Sequence, residues 1–400
     1  MRPGQAVSDA GAAALPERAA SLARIDDYLT RHAPPTPCVV VDLATIRQRY
    51  MALRAALPQA DIYYAVKANP APAVLRTLAG LGTGVDVASS GEIDRCLALG
   101  IAARRCCFGN TIKHERDIRR AHAAGIGLFA FDCAAEVEKL ARAAPGARVL
   151  CRLAVRGNGA EWPLTRKFGC SAATAPHLLA HAASLGLRPA GVSFHVGSQQ
   201  TDPSQWAGAI GAAAGVFAAC ARAGVGLDLL DLGGGLPAQY RTPVPPLGAY
   251  AETILASVRQ HFAGSAPALM IEPGRYLAGD AGLLRAQVLL IARHGGHEGR
   301  RWVYLDAGRY NGLAETQGER IHYPLRTRYD GAASEPVVLA GPTCDSTDII
   351  YDRAGCALPL ELAIGDSVDF LSAGAYTASY ASVEFNGFAP IATHCFEAGE

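Results

Sequence analysis

Lysine is scarce in this chain: 400 residues contain only Lys67, Lys113, Lys139 and Lys167, while arginine supplies nearly all the remaining positive charge. Lys67 lies in Tyr-Tyr-Ala-Val-Lys-Ala-Asn-Pro, directly after an apolar run. A lysine held there is partly desolvated, which lowers its pKa and supplies the neutral amine needed to form an imine. The plainer alternative is a lysine whose stem is covered and whose ammonium reaches solvent. Lys139 falls in a charged helical segment and reads as a surface residue, and Lys113 and Lys167 flank turns. Gly233, Gly234 and Gly235 follow another apolar run. Side-chain-free residues there let backbone N–H groups approach an anion, although a triple glycine by itself is only a turn. Glu272, in Ile-Glu-Pro-Gly-Arg, ends a third apolar run, where a carboxylate needs a cation. Arg275 could serve in a simple ion pair, or could join the glycines around an anion. His195, in Phe-His-Val-Gly-Ser-Gln, is either a core histidine or a ring that stacks on something flat.

An imine-forming lysine, an anion cradle and a buried carboxylate in want of a cation are met together by pyridoxal 5′-phosphate (PLP). A carboxylate against its pyridine nitrogen keeps the ring protonated, and the protonated ring is an electron sink for a carbanion.

The elements that must position these groups follow an alternating pattern. From about residue 61 to residue 275, short apolar or β-branched runs alternate with longer segments of helical period, the signature of parallel β/α units. Eight runs are predicted as strands: 62–66, 84–88, 106–109, 127–132, 148–153, 191–196, 227–232 and 268–272. Helices are predicted over 71–79, 92–99, 115–124, 134–143, 204–222 and 247–262. Eight repeats in one direction predict an α/β fold built on a (β/α)₈ TIM barrel, in which the loops after the strands share one rim. Lys67, Asp86, Asp132, Arg152, His195, Gly233–Gly235 and Glu272 all fall in or after the C-terminal halves of these runs. Beyond Tyr276 strand-like runs succeed one another at 283–292, 302–306, 336–340, 368–372 and 387–391, predicting a C-terminal β domain. The expected division is a disordered or helical lead-in over 1–34, a PLP-binding barrel over 35–276 and a β domain over 277–400, to which the segment near 35–43 can contribute.

The composition fits a globular enzyme acting on a small molecule. The chain is 50% hydrophobic and 18% charged with a formal net charge of +1, so it lacks a basic footprint for nucleic acid or an anionic membrane. Eleven scattered cysteines with no C-x-x-C pair outline neither a disulfide framework nor a zinc knuckle. A reducing cytoplasm is the expected compartment. The Ala-rich beginning carries Asp9 and Glu17 where a signal peptide needs an apolar centre, and no run is expected to span a membrane.

Six motifs in order, Tyr64-Ala-Val-Lys-Ala-Asn, Phe194-His-Val-Gly-Ser, Gly233-Gly-Gly, Glu272-Pro-Gly-Arg, Gly341-Pro-Thr-Cys-Asp and Gly374-Ala-Tyr-Thr, carry a resemblance that runs from about Pro35 to Phe388. The chain resembles the fold-type III PLP-dependent decarboxylases, the alanine-racemase-like group that acts on ornithine, lysine, arginine and diaminopimelate. The resemblance implies that Lys67 binds PLP, His195 stacks on its ring and Glu272 pairs with the pyridine nitrogen. It implies that Asp86, Glu92 and Arg152 support the ring and the lysine, and that Ser198, Gly233–Gly235, Arg275 and Tyr376 hold the phosphate. It also implies a homodimer with shared active sites, Cys344 and Asp345 reaching across from the neighbouring subunit.

Within the group, Cys344-Asp345 is similar to ornithine decarboxylases, whereas diaminopimelate decarboxylases usually have Cys-Glu-Ser and an added arginine for the distal carboxylate. Two aspartates, Asp306 and Asp345, suit a single distal ammonium. The expected reaction is decarboxylation of a basic L-amino acid, foremost L-ornithine to putrescine, with Cys344 protonating Cα. The segments around Arg309 and Asn311 depart from the common ornithine pattern and leave a lysine/ornithine or diaminopimelate-type enzyme as alternatives. Two more distant readings are an amino-acid racemase, which would need a second base opposite Lys67, and a non-catalytic PLP-binding protein.

Overall fold

The structure, a computed structural model, describes residues 16–162, 167–293, 299–353 and 355–399. Residues 1–15 of the predicted lead-in lie outside the described residues. The remainder forms two compact units. One comprises Arg47–Pro237 and Val244–Tyr276; the other takes the chain up to Ile46, Ala238–Pro243 and the chain from Leu277 onward.

The first unit is a closed barrel of eight parallel strands: Ala60–Ala65, Gly84–Val87, Cys106–Phe108, Leu128–Phe131, Arg148–Arg152, Arg188–Ser193, Leu229–Asp231 and Ala268–Ile271. They match the eight predicted runs to within a few residues at each end. Closure is made by the eighth strand pairing with the first, Ile271 opposite Ile62. Strands covered on both faces need apolar residues on both, which is why these segments read as near-continuous runs. Cys107, Leu150, Ala190, Leu229 and Met270 fill the barrel interior. Between strands run the outer helices, among them Pro72–Gly80, Ser90–Ala98, Glu115–Ala123, Ala134–Ala143 and Leu247–His261, close to their predicted bounds.

Helix Ser204–Arg222 corrects the expectation about membrane length: by length and composition it could cross a bilayer. Its many alanines raise the hydropathy, but here Trp206, Ile210, Ala213 and Val216 are buried in the fold between the sixth and seventh strands.

The second unit is built on a nine-stranded mixed sheet. Its long strand Gly282–Arg293 pairs antiparallel with Cys38–Asp42, Arg301–Leu305 and Ser367–Leu371. Cys38–Asp42, an all-buried Cys-Val-Val-Val-Asp run, also pairs in parallel with Ala392–Phe396. Helix Pro16–His32 packs Ile25 and Leu29 onto Cys38, Val40, Leu283, Leu371 and Phe396. The predicted strand over 387–391 is not formed. Asn386 and Gly387 adopt left-handed φ values of 53° and 77°, Pro390 has no N–H to give a ladder, and the strand begins only at Ala392.

Candidate active site

The rim of the barrel gathers the predicted PLP residues. Lys67 sits in a 3₁₀ turn immediately after the first strand, and its Nζ lies 3.2 Å from Oδ2 of Asp86 on the second. Asp86 is buried while the lysine is 48% exposed, so the amine stands at the mouth with its counter-charge below it. The other oxygen of Asp86 is buried with no hydrogen-bond partner. Gly109, after the third strand, leaves the space that Asp86 and Glu272 occupy; a Cβ there would strike the Asp86 carboxylate. Glu92 caps the helix Ser90–Ala98. Its backbone N–H donates to Ser89 Oγ at 3.3 Å while its Oε2 accepts from the N–H of Ala88 at 2.7 Å. Burial, opposed by that bond, raises the Glu92 carboxyl above its ordinary range.

Arg152 ends the fifth strand, its guanidinium 5.0 Å from the ring centre of Phe168. His195 follows the sixth strand, and its Nδ1 accepts the N–H of Gly197 at 3.0 Å. Desolvation, reinforced by the charges of Arg152 and Lys67, pushes this imidazole well below its usual pKa. The ring is therefore neutral, and with Nδ1 accepting, its proton is on Nε2.

After the seventh strand come the three glycines, and each is sterically required. Gly233 has φ +62° and lies against the carbonyl of Phe194. A Cβ on Gly234 would meet the Glu272 carbonyl at 2.8 Å and His195 Nε2 at 3.0 Å, and one on Gly235, φ +125°, would meet the Gly197 carbonyl at 2.7 Å. Ser198 accepts from Arg275, Nη2 to Oγ 2.9 Å, and Arg275 is almost wholly buried. Serine, glycine backbone and a buried guanidinium thus occur in one unit, a donor set of the kind that binds phosphate.

Glu272 follows the eighth strand, its N–H bonded to the Gly233 carbonyl at 2.9 Å. Burial pushes its carboxyl well above the usual range, with the charges of Asp231 and Asp86 adding to the rise. Asp231 was not singled out from the sequence. It closes the seventh strand, is 1% exposed, accepts the Gly233 N–H at 2.9 Å and lines the same small cavity as Glu272, and burial raises its carboxyl to about 7. Three carboxyls, Asp86, Asp231 and Glu272, therefore converge with too few cations, and a protonated ring nitrogen is what such a floor accommodates.

The remaining predicted residues belong to the second unit. Cys344 is exposed, and Asn386 holds it on both sides: the Cys344 N–H donates to Asn386 Oδ1 at 3.1 Å and Asn386 Nδ2 donates to Sγ at 3.3 Å. Asp345 accepts from the N–H and hydroxyl of Thr347, both at 2.8 Å, and from the Tyr310 hydroxyl at 2.9 Å. These bonds, the Thr347 N–H first, lower its carboxyl below the ordinary range. Asp306, after strand Arg301–Leu305, accepts the Gln287 N–H at 2.8 Å, and burial raises its carboxyl. Tyr376 is half-buried in a left-handed conformation, φ +57°. Of the other lysines, Lys113 is buried against Glu136 at 3.0 Å. Lys139 corrects the expectation of a surface residue: it is drawn to the same Glu136 at 2.5 Å and is half-buried.

A barrel with a lysine after its first strand, a turn of three glycines and three converging carboxyls is an arrangement that PLP fits. The family described as pyridoxal-dependent decarboxylase, pyridoxal binding domain, matches residues 43–279. The chain is 35% identical to the lysine/ornithine decarboxylase of Selenomonas ruminantium, over 91% of this chain and 90% of that one. It is 35% identical to the ornithine decarboxylase of Schizosaccharomyces pombe, over 87% and 81%. Among solved structures it resembles the Selenomonas ruminantium lysine decarboxylase in complex with PLP and cadaverine, with TM-score 0.83 and 34% identity over 93% of each chain. The chain belongs to the pyridoxal-dependent decarboxylases, and PLP is its cofactor.

Proposed function

We propose that the protein decarboxylates a basic L-amino acid, foremost L-ornithine, releasing carbon dioxide and putrescine. The observation that carries the reading is the Lys67–Asp86 pair at the mouth of the barrel, above a floor made of Glu272 and Asp231.

When bound, PLP supplies a protonated pyridine ring that accepts the electron pair left by departing carbon dioxide. In this reading Lys67 provides the amine that tethers the cofactor, with Asp86 orienting its Nζ. Neutral His195 gives a flat, uncharged surface for stacking, fixed in rotation by the Gly197 N–H. Glu272 holds the proton on the ring nitrogen, and Arg152 and Glu92 support the site's edge. Ser198, Gly233–Gly235, Arg275 and Tyr376 bind the phosphate. Cys344 serves the neighbouring subunit of a homodimer by donating a proton to Cα, and Asp345 binds the substrate's distal ammonium.

The two aspartates are not equivalent in this role. Asp345, half-buried at a loop, has its carboxyl held below the ordinary range, whereas Asp306 is committed to the Gln287 N–H of its own sheet, so the main ammonium contact is assigned to Asp345. Both relatives act, by name, on ornithine, and one also on lysine, so a dual lysine/ornithine preference is the second reading. A cytoplasmic site of action goes with this proposal.

The test is carbon dioxide release from L-ornithine, L-lysine, L-arginine and meso-diaminopimelate by wild type and Lys67→Ala. Release fastest from ornithine, and abolished in the variant, is the expected outcome. Release fastest from another substrate would overturn the ornithine assignment, and none from any would overturn the basic-amino-acid reading.

A further inference from the structure

Two cysteines that the proposed reaction leaves unused touch each other beside the cofactor rim. Cys151 is wholly buried in the fifth barrel strand, Cys170 is half-buried beyond it, and their Sγ atoms lie 3.4 Å apart. Backbone geometry sets this contact. The Cys170 N–H donates to the Arg152 carbonyl at 3.0 Å and the Cys170 carbonyl accepts from the Ala154 N–H at 2.8 Å, so Cys170 lies beside Leu153 in a parallel bridge. Alternate residues of a strand share a face, which puts the Cys170 side chain on the face that carries Cys151. Gly169 permits the close approach: its φ is +92°, and a Cβ there would meet the Ala154 nitrogen at 2.5 Å. Adjacency in the chain does not achieve as much, since Cys107 fills the barrel interior while Cys106 turns its Sγ to the Ala102 carbonyl.

We propose that Cys151 and Cys170 form a redox site, a dithiol that a hydroperoxide converts into an intramolecular disulfide. Cys170 is the attacking group and Cys151 the resolving one. In the first step the Cys170 sulfur displaces hydroxide from hydrogen peroxide: an S–O bond forms, the O–O bond breaks and Cys170 becomes a sulfenic acid. In the second the Cys151 sulfur attacks the sulfur of Cys170. The S–S bond forms as the S–O bond breaks, and the hydroxyl leaves with the Cys151 proton as water. The two thiols give up two electrons and two protons, and the peroxide becomes two molecules of water.

Position and charge assign the two roles. Cys170 is partly open to solvent, whereas Cys151 is 0% exposed. The hydrogen bond from Cys151 draws the Cys170 thiol below its ordinary pKa, outweighing burial and the nearby Asp132 carboxyl. The same bond, and then burial, push Cys151 up. The thiolate is the form that attacks peroxide, so the lowered, reachable thiol reacts first. Asp132 is itself engaged, its Oδ2 accepting from the Thr111 hydroxyl and the Gly169 N–H, both at 2.9 Å. Closing the bond asks the sulfurs to approach by about 1.4 Å, from 3.4 Å to the disulfide length of about 2.05 Å, a movement on the scale of side-chain rotation. The bond fastens Phe168 and Gly169 to the strand that ends in Arg152, whose guanidinium Phe168 already faces at 5.0 Å. A reducing compartment keeps such a pair as thiols until an oxidant arrives.

The test uses the full chain loaded with PLP, exposed to a small excess of hydrogen peroxide, denatured with its free thiols alkylated, and digested with trypsin. Trypsin cuts after Arg152 and Lys167, so an unlinked pair falls into separate peptides. The expected product is a Cys151 peptide crosslinked to a Cys170 peptide, lighter by two hydrogens than the reduced pair and lost on treatment with dithiothreitol. Exposed Cys133 and Cys344 report that the oxidant acted. Oxidation at either of them with Cys151 and Cys170 still separately alkylated would overturn the proposal, as would Cys170 linked to any other cysteine.

Two variants test the roles. In Cys151→Ser, Cys170 should stop at the sulfenic acid and take up dimedone roughly tenfold faster than Cys151 does in Cys170→Ser. Equal rates, or the reverse order, would remove the assignment of Cys170 as attacker. The crosslink in wild type decides the existence of the site even if neither variant folds.

Discussion

Two charge clusters, one in each unit and each built around a buried aspartate, rest on opposite principles. In the sheet unit Asp369, 4% exposed, is bonded to Arg285 at 2.7 and 2.9 Å and to Arg326 at 2.8 Å, and Arg326 reaches on to Asp26 at 2.6 Å. Two arginines answer two aspartates. On the barrel floor Asp86, Asp231 and Glu272 crowd together, with the Lys67 ammonium near Asp86. A balanced network satisfies itself and belongs to the fold, whereas an unbalanced one is stable only by raising pKa values and holding protons until a cation arrives.

The comparison can be broken most directly at Glu272. Glu272→Gln should fold, bind PLP less tightly and lose about 10²–10³-fold in kcat for carbon dioxide release, the scale of removing one preorganised electrostatic partner. A variant with normal turnover would show that the floor is merely structural. Asp369→Ala should do the reverse. It leaves Arg285 and Arg326 without their shared partner and should cost about 3–5 kcal/mol in denaturant unfolding, with kcat per folded molecule retained. Lost turnover at unchanged stability would erase the distinction between the clusters.

The two clusters also differed in how readable they were. The barrel is a local pattern, so the alternation of apolar runs and helical segments placed all eight strands, and with them the rim positions of Lys67, Asp86, His195 and Glu272. The argument that isolated Glu272, an acid closing an apolar strand, applied equally to Asp231 in Leu-Leu-Asp-Leu; its signal was present and unused. The Asp369 network was not readable, because Asp26, Arg285, Arg326 and Asp369 are brought together by pairings between distant strands and a helix. The same limit left the segment near 35–43 only a possible contributor to the β domain, since the two partners of strand Cys38–Asp42 begin at Gly282 and Ala392. Asn386 escaped for another reason: its grip on Cys344 depends on a left-handed turn that was taken for the start of a strand.

A smaller effect is expected at the hinge between floor and cradle. Gly233 holds a positive φ against the Phe194 carbonyl, so Gly233→Ala forces the turn to open. Strain of about 1–3 kcal/mol should appear mainly as weaker PLP binding, roughly tenfold or more by titration. Unaltered affinity would show that the glycines serve chain packing and not the cofactor.

The smallest effect sharpens the comparison through pH. Asp231 rises from 3.8 to about 7 on folding, so between those values the folded, cofactor-free chain keeps a proton that the unfolded chain has lost. The stabilisation this gives is complete below 3.8 and is lost as pH climbs through 7. Glu272, raised by burial, acts in the same direction. His195 acts oppositely: its folded pKa is depressed, so the unfolded chain gains a proton below 6.5 and stability falls as pH falls there. Comparing Asp231→Asn with wild type isolates the first contribution. The variant should gain on wild type between about pH 5 and pH 8, by something on the order of 1–2 kcal/mol. Denaturant unfolding of the cofactor-free proteins at several pH values measures it. With PLP bound the gap should narrow, since the ring cation now answers the floor. A gap of the same size with and without PLP would mean that the floor was never waiting for that charge.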